Sequence, residues 1–178
     1  MLNADFDADL RFWSAAAFDV TTRDATRNAS GAAGSGSAHV SQTGTAMGSE
    51  VKGLVQCMHI PGPGVYTLNG WGRGTGTMVT AGDIAELFWE FRKSGGEDCT
   101  SGAPNATGTK VLTSGNNWIR PATPAFIDVS RQDWTYTSSI AVTLVAVENG
   151  ASGPPTNAWF DGVTLDVDTI FANAFDPP

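Results

Sequence analysis

Residues 61–73 have the sequence PGPGVYTLNGWGR, and this stretch carries the clearest structural signal in the chain. Its Pro-Gly-Pro-Gly start predicts a turn, and the residues that follow predict a β-strand whose successive side chains point to opposite sides. One side of this strand would carry Val65, Thr67, Asn69, Trp71 and Arg73. The other side would carry Tyr66, Leu68 and then glycines. An amide, an indole and a guanidinium in one row suit a sugar ring, although a Trp71 that simply belongs to the core is the alternative.

The composition limits the classes of function. At 178 residues, the chain is long enough for one domain with an ordinary buried core. It has 18 acidic residues against 10 basic ones, which argues against nucleic acid or an anionic membrane as a partner. No apolar run approaches the roughly 20 residues that a membrane-spanning helix needs. Charged residues make up only 16%, while Gly, Ala, Ser and Thr are abundant, as in extracellular β-proteins.

The two cysteines bear on the compartment. Cys57 lies in an apolar run and Cys99 in a polar one, so a buried thiol is an alternative for Cys57 but a poor one for Cys99. Pairing them would close a loop of about 40 residues, worth about 4 kcal/mol in the chain-entropy model. We therefore predict a disulfide and an oxidising compartment. No signal peptide precedes the acidic opening, so we expect a cytosolic chain or a secreted domain without its leader.

The rest of the chain also favours short strands over helices. Ile84–Lys93 (IAELFWEFRK) could be an amphipathic helix, but its alternation equally suits a strand, and the spacing of neighbouring strands favours that choice. Further candidate strands are Phe18–Val20, Ala38–Thr43, Val51–Ile60, Lys110–Leu112, Trp118–Arg120, Phe126–Arg131, Ile140–Glu148 and Ala158–Val167. Thr21–Ser37 is predicted to be a loop. About ten short strands predict an all-β fold, a β-sandwich jelly roll of two antiparallel sheets over residues 1–168, followed by a tail at 169–178.

Four stretches, taken in order, resemble carbohydrate-binding modules of the family 4/9/22 type. They are NADFD near the start, SGSAHVSQ, VQCMHIPGPGVYTLNGWGR with its Q…PG…Y…W-x-R pattern, and AWFDGVTL near the end. The resemblance covers nearly all of residues 3–167. The tail sequence DTIFANAFD is also similar to a short ending found on secreted bacterial proteins.

The resemblance implies a structural calcium ion where the first and last strands meet. Asp7 and Asp161 match the acidic positions of the family pattern, and the carbonyl oxygens near Gly36 and Ser37 would complete the site. Calcium prefers six to eight hard oxygens and accepts loop carbonyls. Asp7 stands where the family usually has Glu, which puts bidentate coordination in doubt, and solvated turn carboxylates are the alternative.

The resemblance also implies that a polysaccharide binds along the concave face of one sheet. Apolar sugar faces pack on an indole, while amides and guanidinium groups satisfy the hydroxyls. We expect this face to carry Gln56, Asn69, Trp71, Arg73, Glu90 and Arg92. Trp89 and Trp159 are predicted to lie in the core. Xylan, mixed-linkage glucan, alginate and mannan all fit as ligands.

Two other classes of function have requirements that can be compared with this sequence. A jelly-roll glycosidase would need two facing carboxyl groups, and a lyase would need a His or Tyr base; no such pair is visible in the sequence. An adhesive or structural sandwich without a sugar ligand is compatible with the composition. The expectation is a secreted, monomeric, non-catalytic bacterial module that binds a polysaccharide or oligosaccharide and is appended to a catalytic domain in its parent protein.

Overall fold

A computed structural model describes residues 1, 4–15, 20–42, 50–75, 84–113, 115–147 and 156–167. These residues form ten strands, which are β1 (Ser14–Ala15), β2 (Val20–Asp24), β3 (Ser37–Gln42), β4 (Glu50–His59), β5 (Gly64–Gly74), β6 (Ile84–Arg92), β7 (Ala106–Thr113), β8 (Ala125–Val129), β9 (Ser139–Val147) and β10 (Thr156–Val167). No helix within the described ranges is both long and apolar enough to cross a membrane.

The strands form two five-stranded sheets that pack face to face. Sheet A has the order β1-β4-β9-β6-β7, and sheet B has the order β2-β3-β10-β5-β8. Every pairing within the two sheets is antiparallel. The predicted all-β jelly roll of two antiparallel sheets is therefore confirmed.

Strand β5 has the two-sided pattern that the sequence predicts. Tyr66 and Leu68 are buried in the core between the sheets, and the alternate residues face outward. Its inward glycines let the two sheets approach closely, since a Cβ at Gly72 would lie only 2.5 Å from the Cβ of Leu112 on β7. The glycines are thus a packing requirement of the sandwich.

Strand β9 is the centre of sheet A. It pairs with β4 on one side and β6 on the other, and all of its residues except Val147 are buried. Ile140, Val142 and Leu144 face the core. The continuous apolar run predicted for a central strand covered on both sides is therefore confirmed. The choice of strand over helix for Ile84–Lys93 is also confirmed, since β6 pairs with β9 and β7 along its length.

Two sequence-based assignments are wrong. Thr21–Ser37 is not entirely loop, because residues 20–24 pair with β3 as strand β2. Trp118–Arg120 is not a full strand, since only Ile119 forms a bridge, with Gly72. The predicted tail, 169–178, and most of the predicted strand Phe18–Val20 lie outside the described residues.

Candidate functional site

The outward surfaces of the two sheets are the candidate binding faces. The A face is the outer surface of sheet A, and its side chains come from alternate residues of β4, β9, β6 and β7. The B face is the outer surface of sheet B, and its side chains come from alternate residues of β3, β10 and β5.

The six predicted ligand residues do not share one face, so their grouping was wrong. Asn69, Trp71 and Arg73 lie on the B face, because β5 belongs to sheet B. Glu90 and Arg92 lie on the A face, on β6. Gln56 on β4 is 4% exposed and donates a hydrogen bond from Nε2 to the carbonyl oxygen of Phe12. Alternation is correct within each strand, but the order of strands distributes these residues between two opposite surfaces.

On the A face, strand β6 presents an aromatic ring beside a carboxylate. Phe88 lies between Thr143 of β9 and Thr109 of β7 in the strand register. Glu90 lies between Ala141 and Thr107 in the same way. Both β6 side chains are partly exposed, while the shorter side chains on β9 are buried and those on β7 are exposed. A row of larger side chains thus stands beside short ones.

The next outward side chain of β6 after Glu90 is Arg92, which carries a guanidinium group. Arg92 Nη2 lies 3.3 Å from Glu90 Oε2, and Arg92 Nη1 donates a hydrogen bond to the carbonyl oxygen of Gly102. Arg92 Nε is buried and has no hydrogen-bond partner among the described residues. The A face therefore combines a ring, an anionic acceptor and a cationic donor along one strand.

The predicted disulfide is present and shapes this face. Cys57 and Cys99 are joined with a Cα–Cα distance of 5.6 Å. Cys57 is on β4, and Cys99 is in the connection from β6 to β7, so the bond draws this connection across β9. A Cβ at Gly95 would lie 1.9 Å from Ser139 Oγ, which shows how closely the connection lies on β9. The connection therefore bounds the A face at the Ser139 end.

The B face uses its polar side chains to hold neighbouring segments. Asn69 Nδ2 donates a 2.9 Å hydrogen bond to the carbonyl oxygen of Pro121. Arg73 donates from Nε and Nη2 to Asn116 Oδ1, at 3.1 and 2.9 Å. The side chains predicted to meet hydroxyl groups of a ligand thus fasten residues 115–121 beside β5.

Trp159 on β10 is buried on the B face under other side chains. Its ring stacks on His39 with the centroids 4.6 Å apart, and the guanidinium carbon of Arg27 lies 4.3 Å from its ring centroid. Its Nε1 donates a 3.0 Å hydrogen bond to Asp24 Oδ2. Trp159 is 4% exposed, so the prediction of burial is confirmed, but the ring lies outside the main core cluster. Trp89 packs against that cluster, as predicted.

Trp71 lines a cavity of about 780 Å³ at one end of the B face. Asp5, Asp7, Asp161 and Arg120 also line it, together with residues of the segment before β3. Arg120 donates hydrogen bonds to the carbonyl oxygen of Gly162 and to Thr164 Oγ1, so it helps to hold the bulge in β10. The cavity therefore has an indole wall and an acidic lining.

Ionisable groups of the B face have shifted pKa values. Burial raises the pKa of Asp161, with smaller contributions from the charges of Asp5 and Asp7, although two backbone N–H groups oppose the shift. Burial lowers the pKa of His39. For Asp24, burial acts to raise the pKa, but hydrogen bonds from Thr26 and Trp159 outweigh it, and the net pKa is lowered.

The predicted calcium ligands come together only in part. Asp7 and Asp161 line the Trp71 cavity. Gly36 and Ser37 are buried nearby, and the Ser37 hydroxyl has no hydrogen-bond partner among the described residues. Within those residues, no group of three His, Cys, Asp or Glu side chains is arranged to hold a metal ion. The calcium site stays a prediction.

The sandwich is similar to known carbohydrate-binding modules. No protein-family model matches the sequence, and no curated protein matches it at a significant level. The CBM22-1–GH10 part of a Clostridium thermocellum endo-1,4-β-D-xylanase, complexed with xylohexaose, superposes with a TM-score of 0.58 at 14% identity. That match covers 93% of this chain but only 28% of the xylanase chain.

Two isolated modules match along most of their length. The CBM22-1 xylan-binding domain of a Paenibacillus barcinonensis protein has a TM-score of 0.51 at 13% identity, with 92% of this chain and 91% of that one covered. The family 11 module of a Clostridium thermocellum cellulosomal cellulase has a TM-score of 0.51 at 16% identity, with 94% of each chain covered. The chain thus has the fold of β-sandwich carbohydrate-binding modules, and the resemblance seen in the sequence is confirmed at the level of fold.

Sequence reasoning missed Phe88 as a site residue. Its signal was present, because Phe88 alternates with Leu87 and Trp89 and so shares a side with Glu90 and Arg92. Arg23 and Arg120 were also missed. Both hold backbone oxygens that are distant in sequence, and nothing in the neighbouring residues indicates those partners.

Proposed function

We propose that this chain is a non-catalytic module that binds a polysaccharide along the A face. The observation that carries the proposal is the row formed by Phe88, Glu90 and Arg92, flanked by short side chains on both neighbouring strands. The apolar side of a pyranose ring would pack on Phe88, and its hydroxyl groups would hydrogen-bond to Glu90 and Arg92. The shared fold of xylan-binding and other carbohydrate-binding modules supports this class of function.

The A face suits a chain-like ligand better than the B face does. The outward amide and guanidinium of β5, Asn69 and Arg73, already bind the segment 115–121, and Trp159 lies beneath Arg27. A ligand on the B face would have to displace those contacts, and a ligand on the A face would have to share Arg92 with Gly102 and Glu90. On the A face, the exposed threonines of β7 continue the row toward the sheet edge, so a sugar chain could cross several strands.

The geometry of the A face supports binding more than hydrolysis. Glu86 and Glu90 lie on the same face, four residues apart on one strand, a separation of about 13 Å. Glycosidase carboxyl pairs lie roughly 5–10 Å apart. The second candidate function is glycoside hydrolysis in the Trp71 cavity. Three acidic side chains line this cavity, and a hydrolase would use such carboxylates as its catalytic pair.

Secretion is part of the proposal and is supported by the Cys57–Cys99 disulfide, since such bonds persist in oxidising compartments. A monomeric module joined to a catalytic domain is proposed by analogy with the Clostridium thermocellum structure, in which CBM22-1 and GH10 modules occur together. The sequence-based expectation of calcium between the first and last strands does not enter this proposal.

The test is affinity electrophoresis against soluble xylan, mixed-linkage glucan, alginate and mannan. We expect one glycan to retard the wild type, and we expect Phe88→Ala and Glu90→Gln each to weaken its binding roughly ten-fold or more, because each removes about 1.4 kcal/mol or more. Trp71→Ala is the matched control on the opposite sheet and tests the earlier prediction for that residue.

Each outcome has a distinct meaning. Loss of retardation in Trp71→Ala alone would place the ligand in the Trp71 cavity and would overturn the proposal that the glycan binds on the A face. Release of reducing ends that disappears in Asp161→Asn would establish hydrolysis instead. A folded wild type that no glycan retards would favour an adhesive or structural sandwich.

A further inference from the structure

We propose that the guanidinium of Arg23 takes the place predicted for calcium, so that this module holds its first segment by an arginine and folds independently of calcium. The predicted calcium would have joined Asp7 of the opening segment and Asp161 of the last strand to carbonyl oxygens near Gly36 and Ser37. The side chain of Arg23 reaches this same junction from strand β2.

Arg23 binds three backbone oxygens from two separate segments. Its Nε donates a 2.7 Å hydrogen bond to the carbonyl oxygen of Phe6. Its Nη2 donates to the carbonyl oxygen of Asp7 and, at 3.2 Å, to that of Gly34. A cation that collects loop carbonyls from both segments is the role expected of the calcium ion.

The backbone at one predicted calcium ligand, Gly36, is already in contact with the guanidinium of Arg23. A Cβ at Gly36 would lie 2.8 Å from three guanidinium atoms of Arg23, so the guanidinium rests directly against the backbone there. Asp7 Oδ1 accepts a 2.7 Å hydrogen bond from the Ser35 hydroxyl. Calcium requires six to eight oxygens and would be repelled by a fixed positive charge held against Gly36 and the Asp7 backbone.

The carboxylate of the last strand is also engaged. Asp161 Oδ2 accepts a 2.7 Å hydrogen bond from the N–H of Ala29, and Oδ1 accepts one of 2.8 Å from the N–H of Gly162. The bond from Ala29 ties β10 to the segment between β2 and β3 without a metal, whereas the bond from Gly162 lies within β10. The Asp161 carboxylate therefore has backbone partners of its own, while the carbonyl oxygens of Phe6, Asp7 and Gly34 have the N–H groups of the guanidinium.

The position of Arg23 in the sheet explains why its side chain reaches this junction. Arg23 pairs with Ala38, which is fully buried in the core, so the Arg23 side chain lies on the inward side of edge strand β2. Phe6, whose carbonyl it binds, is fully buried with a positive φ of 50°. The guanidinium thus holds the backbone of a segment whose Phe6 ring is buried in the core.

The test is thermal unfolding of the full chain in millimolar calcium and in excess chelator. We expect one wild-type Tm under both conditions. Arg23→Gln should lower the Tm by roughly 3–8 °C, because it removes the charged donor from the part-buried bond to Phe6 and from two exposed carbonyl oxygens. Arg11→Gln is the matched control, since Arg11 is exposed and pairs with Asp9 at the surface; its Tm should change by no more than about 2 °C.

Two results would overturn the proposal. One is a wild-type Tm that rises with calcium or falls with chelator; the other is a wild-type Tm in Arg23→Gln. If Arg23→Gln does not fold, calorimetric titration of the wild type with calcium decides the question alone. Heat of binding at one saturable site, lost in Asp161→Asn, would show that calcium binds at the predicted ligands and would overturn the proposal. The absence of such heat would support the proposal that Arg23 replaces calcium.

Discussion

The two outer faces of the sandwich differ in how their side chains are used. On the A face, Phe88 and Glu90 stand beside short residues of the adjacent strands. On the B face, Asn69 and Arg73 are bonded to the segment 115–121, and Trp159 lies under Arg27. Both faces carry an outward aromatic ring and a guanidinium, with a carboxylate beside them on the A face and an amide on the B face. Composition therefore does not distinguish a face that could meet a ligand from one that holds the protein's own loops.

The largest expected effect is on the B face. Trp159→Ala should lower the free energy of unfolding by roughly 3–5 kcal/mol, because it removes a buried ring together with its contacts to His39 and Arg27. Where the variant is still folded, glycan retention should match the wild type. Urea denaturation measures the loss, with Phe126→Ala, at a 61% exposed ring of the same sheet, as the control.

The comparison would fail if Trp159→Ala were as stable as Phe126→Ala. It would also fail if the folded variant lost glycan retention, because that result would make the B face a ligand surface.

The disulfide should have the next largest effect, and it acts on the A face. Replacing Cys57 and Cys99 together by Ser should lower the free energy of unfolding by roughly 2–4 kcal/mol. The connection from β6 to β7 would no longer be held across β9, so glycan retention should fall as well. Denaturant titration and affinity electrophoresis of the same preparation measure both quantities. Unchanged retention in a folded double variant would show that this connection does not shape the ligand face.

Arg73 should give a smaller effect that is confined to stability. Arg73→Gln removes two hydrogen bonds to Asn116, so we expect a loss of about 1 kcal/mol in the free energy of unfolding. Retention by glycan should not change. Arg92→Gln is the informative partner on the A face, because it also removes bonds, to Gly102 and Glu90, but should in addition lower glycan retention. Equal behaviour of the two variants in both assays would remove the distinction between the faces.

The smallest expected effect is a pH dependence from His39. Burial lowers its pKa in the folded state, so the unfolded state binds the proton more readily. The resulting contribution to stability is complete above the unfolded pKa of about 6.5 and is lost as the pH falls through the lower folded pKa. His39→Gln should flatten the fall in stability below about pH 6.5. Urea titrations at several pH values check this, and an unchanged slope would contradict it.

The sequence could predict the direction of side chains within a strand, but it could not predict the sheet to which each strand belongs. Alternation correctly separated Asn69, Trp71 and Arg73 from Tyr66 and Leu68, because side-chain direction in a strand is a local property. It could not show that β5 and β6 lie in different sheets. That fact depends on hydrogen bonds between strands far apart in the chain.

The Cys57–Cys99 pair is an intermediate case. Two cysteines allow only one intramolecular pairing, so the sequence could predict the bond without any knowledge of the strand order. Its consequence for the A face could not be predicted, because this depends on β9 lying between β4 and β6. The count of cysteines is enough to predict the pairing of a single disulfide. The position of that disulfide on a surface is a property of the fold.

The sequence by itself determined the all-β class, most of the strands, the disulfide and the resemblance to carbohydrate-binding modules, because period-two patterning and residue chemistry are carried by short segments. Only the tertiary structure decided that Glu90 and Arg92 face away from Trp71, and that Arg23 from a Thr-rich stretch binds the carbonyls of Phe6 and Gly34. These contacts join segments separated by other strands, and their energies depend on the distance between the contacting atoms and on their burial. Both the distance and the burial are set only when the two sheets pack together.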